Sequence, residues 1–305
     1  MTILTPDDTL PILFKSPEEF DKRPGYQPQL TCTRDQLEKI VGKYTFTKEQ
    51  QLECGLNGCR TKHWHGWVIR TKDGKETHCG KNCGERDFDV VFKEVEAVFK
   101  AAVERQSKKD RLEQIGRDRD ALLADARGLY EKVSAAGKRI QAVLNEIKRD
   151  VALERAFESC MRSGGRILVE DEESKRLRAA MGANAAKADL KVIGIIKGTS
   201  AVFDAARAAS ELKYKIISPL QDLTTENLNA LPDKELSAKT QAFSSMQQTI
   251  SSAKNFLSAF EQFNSPSNAQ AFVLLQQSMP KKARTGRVGR IVERITLIYS
   301  GTERL

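Results

Sequence analysis

The sequence predicts a mostly α protein: a small N-terminal module of β-hairpin and helix, followed by a long helical bundle or antiparallel coiled coil. Three observations carry this reading. No proline stands between Pro28 and Pro219, so nothing there imposes the roughly 3 kcal/mol that proline costs inside a helix. From Leu112 onward the apolar residues recur in alternating steps of three and four, the mark of a helix seam. Four of the six cysteines and all three histidines crowd into residues 54–83 around an Asp-Gly turn, which suits a small metal-bound hairpin.

At 305 residues the chain can form one or two domains with a core. Its 40% hydrophobic, 7% aromatic and 30% charged residues favour an elongated helical protein over a compact enzyme. No run of 18 apolar residues exists, and MTILTPDDTL lacks the basic-then-apolar layout of a secretion signal. A soluble, cytoplasmic protein without a membrane partner is therefore expected. The net charge is +9, and residues 280–305 alone carry seven basic and two acidic side chains. That excess suits a phosphate backbone or an acidic protein partner.

The elements follow in order. Residues 1–31 hold Pro6, Pro11, Pro17, Pro24 and Pro28 and read as an extended lead-in, with a short helix at Pro17–Lys22. Thr33 is placed to cap a small helix over Arg34–Lys43. Trp64–Thr71 is strand-like, Lys72–Lys75 turns on Asp73-Gly74, and Glu76–Cys79 returns. An amphipathic helix then starts near Glu85.

The first seam runs through Leu112, Arg119, Ala126, Val133, Ile140 and Ile147, and through Ile115, Leu122, Leu129, Ala136 and Val143; only Arg119 is polar. Arg119 is expected to meet an acidic residue or to snorkel to the edge. A continuous helix from Leu112 to Val151 spans roughly 60 Å, and one from Phe88 roughly 100 Å. Ser163-Gly164-Gly165 breaks the pattern, followed by apolar Ile167–Val169 and acidic Glu170–Glu173. Helical patterning resumes at Lys175–Arg178 and over Ala183–Ile217, which Pro219 ends. A third helix after Pro232 carries Leu236, Phe243, Ile250 and Leu257 beside Met246, Ala253 and Phe260, and is the natural antiparallel partner of the first seam. A loop at 264–268 and a short helix over Ala269–Ser278 precede the basic end. The expected domains are thus a lead-in (1–31), a metal module (32–90), a helical bundle or coiled coil (91–279) and a flexible basic C-terminal tail (280–305). Within the tail, 291–299 can dock as a strand or final helix.

The cysteine spacing is Cys54-x4-Cys59-x19-Cys79-x3-Cys83. Two close pairs joined by a hairpin can each supply one edge of a tetrahedron, and the second pair lies at a helix start, where the dipole favours thiolate. A knuckle (Cys54-Gly55-Leu56-Asn57-Gly58-Cys59), the Asp73-Gly74 hairpin and a helix after Cys79-Gly80-Lys81-Asn82-Cys83-Gly84 together resemble a treble-clef zinc finger. The resemblance covers residues 54–90 alone. It implies a structural Zn²⁺ held by Cys54, Cys59, Cys79 and Cys83, although both pairs are spaced wider than the common x2. His78, His63 and His65 are the alternative ligands. A closed set of four thiolates offers no open position for catalysis. Some treble clefs are metal-dependent nucleases, which need a general-base histidine and further ligands; His63 and His65, on one face of an extended strand, are the residues to consider.

Trp64 and Trp67 face opposite sides of a strand and read as the finger's small core, or else as a stacking platform beside Arg70, Lys72 and Lys75. In the tail, Lys281, Lys282, Arg284, Arg287 and Arg290 are spaced to neutralise several phosphates. Cys32 and Cys160, with no histidine close in sequence, read as buried thiols. The expectation is a non-catalytic zinc-finger and coiled-coil adaptor that engages nucleic acid or a nucleic-acid-bound complex. A homo-oligomer formed through the helical seams is the alternative, and a metal-dependent nuclease the third.

Overall fold

A computed structural model describes residues 10–171, 190–225 and 228–300, together with the single positions 176 and 180. The elements are β1 (Ile12–Phe14), α1 (Glu18–Asp21), β2 (Leu37–Thr45), β3 (Leu52–Glu53), β4 (Lys62–His63), β5 (His65–Thr71) and β6 (Glu76–Cys79). Helices α2 (Lys81–Arg117), α3 (Arg119–Ile147) and α4 (Val151–Arg162) follow, then strands β7 (Arg166–Glu170) and β8 (Leu190–Ile195). The last elements are α5 (Thr199–Leu212), α6 (Ser218–Gln221), α7 (Asp233–Ala242), α8 (Met246–Phe263), α9 (Pro266–Ser278) and α10 (Gly286–Ser300). The protein is mostly α, as the periodicity requires. It forms two compact units, Met1–Gln114 with Thr225–Thr240, and Ile115–Thr224 with Gln241–Leu305. The boundary therefore falls inside the expected helical region rather than at residue 90.

The first unit is built on a four-stranded sheet of order β1-β2-β5-β6, with β1 parallel to β2 and the other pairs antiparallel. The helix expected over Arg34–Lys43 is instead a 3₁₀ turn (Arg34–Gln36), with Thr33 in its capping box, running into β2. The reason is visible in the apolar positions. Leu37, Ile40, Val41 and Tyr44 stand at i, i+3, i+4 and i+7, the spacing of a helix face. Irregularities in register at Leu37/Lys39 and Ile40/Gly42 let a strand carry that spacing. They send Leu37 and Ile40 into one apolar cluster and Val41 and Tyr44 into another. The described part of the expected lead-in also belongs to the fold: α1 forms where a short helix was expected, and Phe14 and Phe20 are buried beside Tyr44, Phe46 and Val68. Phe20 meets Phe14 edge-on at 4.9 Å.

Helix α2 begins directly after β6 and kinks at Asp89, a non-glycine residue with φ +49°. Phe88, Phe92 and Phe99 pack into the cluster that holds Trp67 and the cysteines. Farther along α2, Arg105 pairs with Asp233 and donates to the Leu231 carbonyl at 2.6 Å, and Lys109 donates to the Asn229 side chain at 2.9 Å. These bonds tie the 228–240 segment onto α2, so α7 belongs to the first unit.

In the second unit, α3 packs against α5, α8 and α10. Its seam is the one the periodicity marks: Ala126, Val133, Ala136, Ile140, Val143 and Ile147 are buried, with Leu123 in place of Leu122. The continuous 100 Å helix does not form, because the helix breaks at Asp118 and again at Lys148–Asp150. Arg119 meets no acid among the described residues; it donates to the carbonyls of Leu220 and Gln221 at 2.9 and 3.1 Å and so caps the end of α6. The third helix is also interrupted, at Phe243–Ser245, and α8 restarts in a shifted phase. Leu236, Phe243 and Ala253 are buried as expected, but Thr249, Phe256 and Phe263 are buried in place of Ile250, Leu257 and Phe260.

The helix expected over 183–217 begins only at Thr199, since Leu190–Ile195 is a strand paired antiparallel with β7. Residues 172–175 and 177–189, which include Glu172 and Glu173 of the acidic run and all but Arg176 of the Lys175–Arg178 pattern, lie outside the described residues, as does Pro6. The basic C-terminal stretch is not a flexible tail. Residues 281–283 form a 3₁₀ turn, and Val288, Ile291, Val292, Ile295 and Ile298 bury one face of α10. Arg284 donates to the Met279 carbonyl at 2.7 Å and Arg287 to the Arg149 carbonyl at 2.6 Å. Among the described residues, no helix is long and apolar enough to cross a membrane.

Candidate metal centre

The knuckle between β3 and β4 is shaped by two left-handed residues in succession, Asn57 at φ +52° and Gly58 at φ +69°. Asparagine and glycine tolerate this region best, which gives the Asn-Gly pair its role. The turn closes with the Cys59 amide on the Leu56 carbonyl at 2.9 Å, and the Cys54 amide on the Thr61 carbonyl at 3.0 Å. The Asn57 side chain fastens it on two sides, accepting from the Cys32 amide at 2.8 Å and donating to Asp87 of α2 at 3.1 Å. Gly55 has no room for a side chain: a Cβ would stand 2.4 Å from the Pro28 carbonyl oxygen. The knuckle is thus held against both the 28–32 segment and the start of α2.

This arrangement brings Cys54 and Cys59 to Cys83, in the first turn of α2. The three sulfurs lie within 4.8 Å of one another and can hold a metal ion. The Sγ atoms of Cys59 and Cys83 are 3.6 Å apart; two thiolates on one tetrahedral zinc, at about 2.3 Å each, stand roughly 3.8 Å apart. Cys79, the other cysteine of the expected set, sits at the end of β6. It is fully buried in the same apolar cluster, but its sulfur lies outside the group of three.

The electrostatics of the sulfurs are divided. Burial pushes Cys83 up to about 12 and raises Cys54 and Cys79 as well. At the helix start, burial and the adjacent Cys59 and Cys54 sulfurs oppose ionisation of Cys83. Cys59, at the half-buried edge, is held down at about 6, chiefly by the Thr61 side chain, with Thr61 backbone, Cys83 and Arg86 assisting. Buried thiols that resist ionisation singly, yet stand at thiolate–metal spacing, ionise together when a cation occupies the space between them.

The histidines do not join this group. His78 is held at both nitrogens: Nε2 donates to the Glu53 carbonyl at 2.7 Å, so Nδ1 accepts from the Tyr26 hydroxyl at 2.7 Å. His63 is buried with Nδ1 2.9 Å from the Tyr44 hydroxyl, and burial lowers it to about 4. Its Nε2 has no partner among the described residues. His65 is exposed in β5, so the two histidines expected on one face are separated, one inward and one outward.

The expected nucleic-acid contacts divide likewise. Arg70 is not a surface cation. With Arg23 it clamps the fully buried carboxylate of Glu76, at 2.6 and 2.9 Å. Lys72 and Lys75 are exposed on the β5–β6 turn, Lys75 beside Asp73 at 2.7 Å. Lys281, Lys282 and Arg290 are exposed, and Arg284 and Arg287 are engaged as described above. Trp67 is buried against Phe99, whereas Trp64 is half-exposed with Lys48 over its ring at 5.8 Å.

The sequence reading did not anticipate Glu76, Tyr26, Tyr44 or Asn57. Only Asn57 carried a local signal, its Asn-Gly step. The other three depend on distant partners, Tyr44 on His63, Tyr26 on His78 and Glu76 on Arg23 in addition to its hairpin neighbour Arg70, at separations of 19 to 53 residues.

No protein-family model, curated protein or solved structure matches this chain.

Proposed function

We propose that the protein is a non-catalytic binding protein whose first unit folds around a structural zinc ion in a treble-clef-like finger. In this reading Cys54, Cys59 and Cys83 hold the metal, and Cys79 completes the set from the end of β6. The observation that carries it is the approach of three sulfurs from two separate segments to thiolate–metal distance inside an apolar cluster. Thiolate-rich sites select zinc among the common divalent ions, and a four-thiolate shell is structural. The proposed partner is nucleic acid or a complex carrying it. Support comes from the net charge of +9 and from one exposed face of the finger. There, Lys48 overlies Trp64, His65 meets the same ring edge-on at 5.4 Å, and Arg60 and Lys62 stand exposed nearby in sequence.

The test is metal analysis of the full chain purified without added metal, followed by binding to a fluorescent single-stranded oligonucleotide. One zinc per chain is expected, lost in Cys83→Ser. Oligonucleotide binding is expected to weaken steeply as salt rises, and to fall about tenfold in the Lys48→Ala/Lys62→Ala double variant. A metal-free protein with a normally folded Cys83→Ser variant refutes the finger; salt-independent or absent oligonucleotide binding refutes the partner.

One observation favours a second reading, a homo-oligomer through the helical unit. Phe203 is 69% exposed beside an apolar cavity of about 340 Å³ that Ile147, Phe157 and Met161 also line. Sedimentation at high salt separates the two, since an apolar oligomer persists there.

A further inference from the structure

A second cavity, of about 390 Å³, lies within the helical unit between α4, β7 and the end of α9. Its apolar wall is formed by Cys160, Ile167, Leu168, Leu275 and Met279. Two of its three serines are already satisfied: Ser163 donates to the carbonyls of Cys160 and Arg166, and Ser278 to that of Leu275. Burial holds the Cys160 thiol up at about 11, so that wall is uncharged at neutral pH.

Among the described residues, the only charged side chains in the lining are Arg155 and Arg166. Neither guanidinium has an ion-pair or hydrogen-bond partner among the described residues. The acids of the same elements, Glu154, Glu158 and Glu170, are absent from the lining. Lys281 and Lys282 stand in the turn that supplies Pro280 and Ala283 to the cavity. The cavity lined by Phe203, on another side of α4, is different: Lys148 and Arg162 line it together with Glu154 and Glu158, so its charges balance.

An apolar cavity in the size range of small-molecule sites, with free guanidinium groups and no acid among its described lining residues, has a defined complement. We propose that it binds a small amphiphilic anion, an apolar chain or ring ending in a carboxylate. The chain occupies the wall of Ile167, Leu168, Leu275 and Met279, and the carboxylate pairs with Arg155 and Arg166, whose planar donors match its two oxygens. This inference is independent of the zinc reading, since every residue in it belongs to the second unit.

The test is calorimetric titration of the full chain with decanoate, decanol and decyltrimethylammonium, each below its micelle concentration. Saturable one-to-one binding of decanoate is expected, with decanol at least about tenfold weaker and the cation not bound. The Arg155→Gln/Arg166→Gln double variant, altered only at exposed positions, is expected to lose about tenfold or more for decanoate and nothing for decanol. Ala156→Trp, which fills the cavity, is expected to remove both. Cys83→Ser is expected to leave these titrations unchanged, so failure of the zinc reading and failure of this one remain distinct. Absence of saturable decanoate binding, equal affinity for decanoate and decanol, or undiminished decanoate binding in the double arginine variant overturns the proposal.

Discussion

The two units of this chain are held together by different means. In the first, the sheet is short and its apolar residues divide into two clusters, one around the cysteines and one around Phe20 and Tyr44. Between them stand buried polar groups with specific partners: Glu76 with two arginines, and His63 and His78 with tyrosines. In the second, apolar seams on α3, α5, α8 and α10 form the core, and the buried polar residues among those described are Thr249 and Asn268. A unit of the first kind depends on a handful of particular contacts. A unit of the second kind spreads its stability over many similar ones, each replaceable at moderate cost.

Removal of the proposed zinc is expected to break the comparison most severely. Structural zinc supplies on the order of 10 kcal/mol of folding free energy in small modules. A chelator, or Cys54→Ser, is therefore expected to expose the first unit to protease while the seams of the second stay protected; hydrogen exchange resolved by segment reads this directly. Equal loss of protection in both units would show that the second depends on the first.

The next largest effect is expected at Glu76. Its carboxylate is fully buried, and Arg23 and Arg70 are only 16% and 12% exposed. Glu76→Ala removes the buried carboxylate that Arg23 and Arg70 share and is expected to cost about 3–5 kcal/mol, read by denaturant unfolding followed by tryptophan fluorescence. Ile140→Ala, on the α3 seam and 1% exposed, is expected to cost about 2–5 kcal/mol from lost burial and the residual cavity, with the first unit unchanged. The smallest effect sharpens the contrast within the helical unit. Asp150 caps α4 by accepting from the Ala152 and Leu153 amides at 3.0 and 3.2 Å, and Asp150→Ala is expected to cost about 1 kcal/mol.

The same contrast explains what could be read without coordinates. The α3 seam was legible because helix periodicity is a local property: Val133, Ile140 and Ile147 are buried as their spacing requires. The β5–β6 hairpin was legible through Asp73-Gly74, whose turn chemistry is equally local. β2 was misread because Leu37, Ile40, Val41 and Tyr44 imitate a helix face, and only pairing with β1 and β5 decides against it. The phase of α8 was missed because a three-residue interruption at 243–245 resets the count. At the metal site, the cysteine spacing marked the cluster. Which sulfurs approach one another, and that Arg23 arrives from 53 residues away to share the buried Glu76 with Arg70, depended on distant segments.

By itself, then, the sequence determined the mostly α character, the α3 seam, the hairpin and the gathering of cysteines, because each follows from residues within a few positions of one another. Tertiary structure alone decided that 225–240 returns to the first unit, that 190–195 is a strand, and that 281–300 docks as turn and helix. It also decided which cations remain free. These outcomes turn on which distant segment covers an apolar face or satisfies a buried charge, a competition that no local window contains.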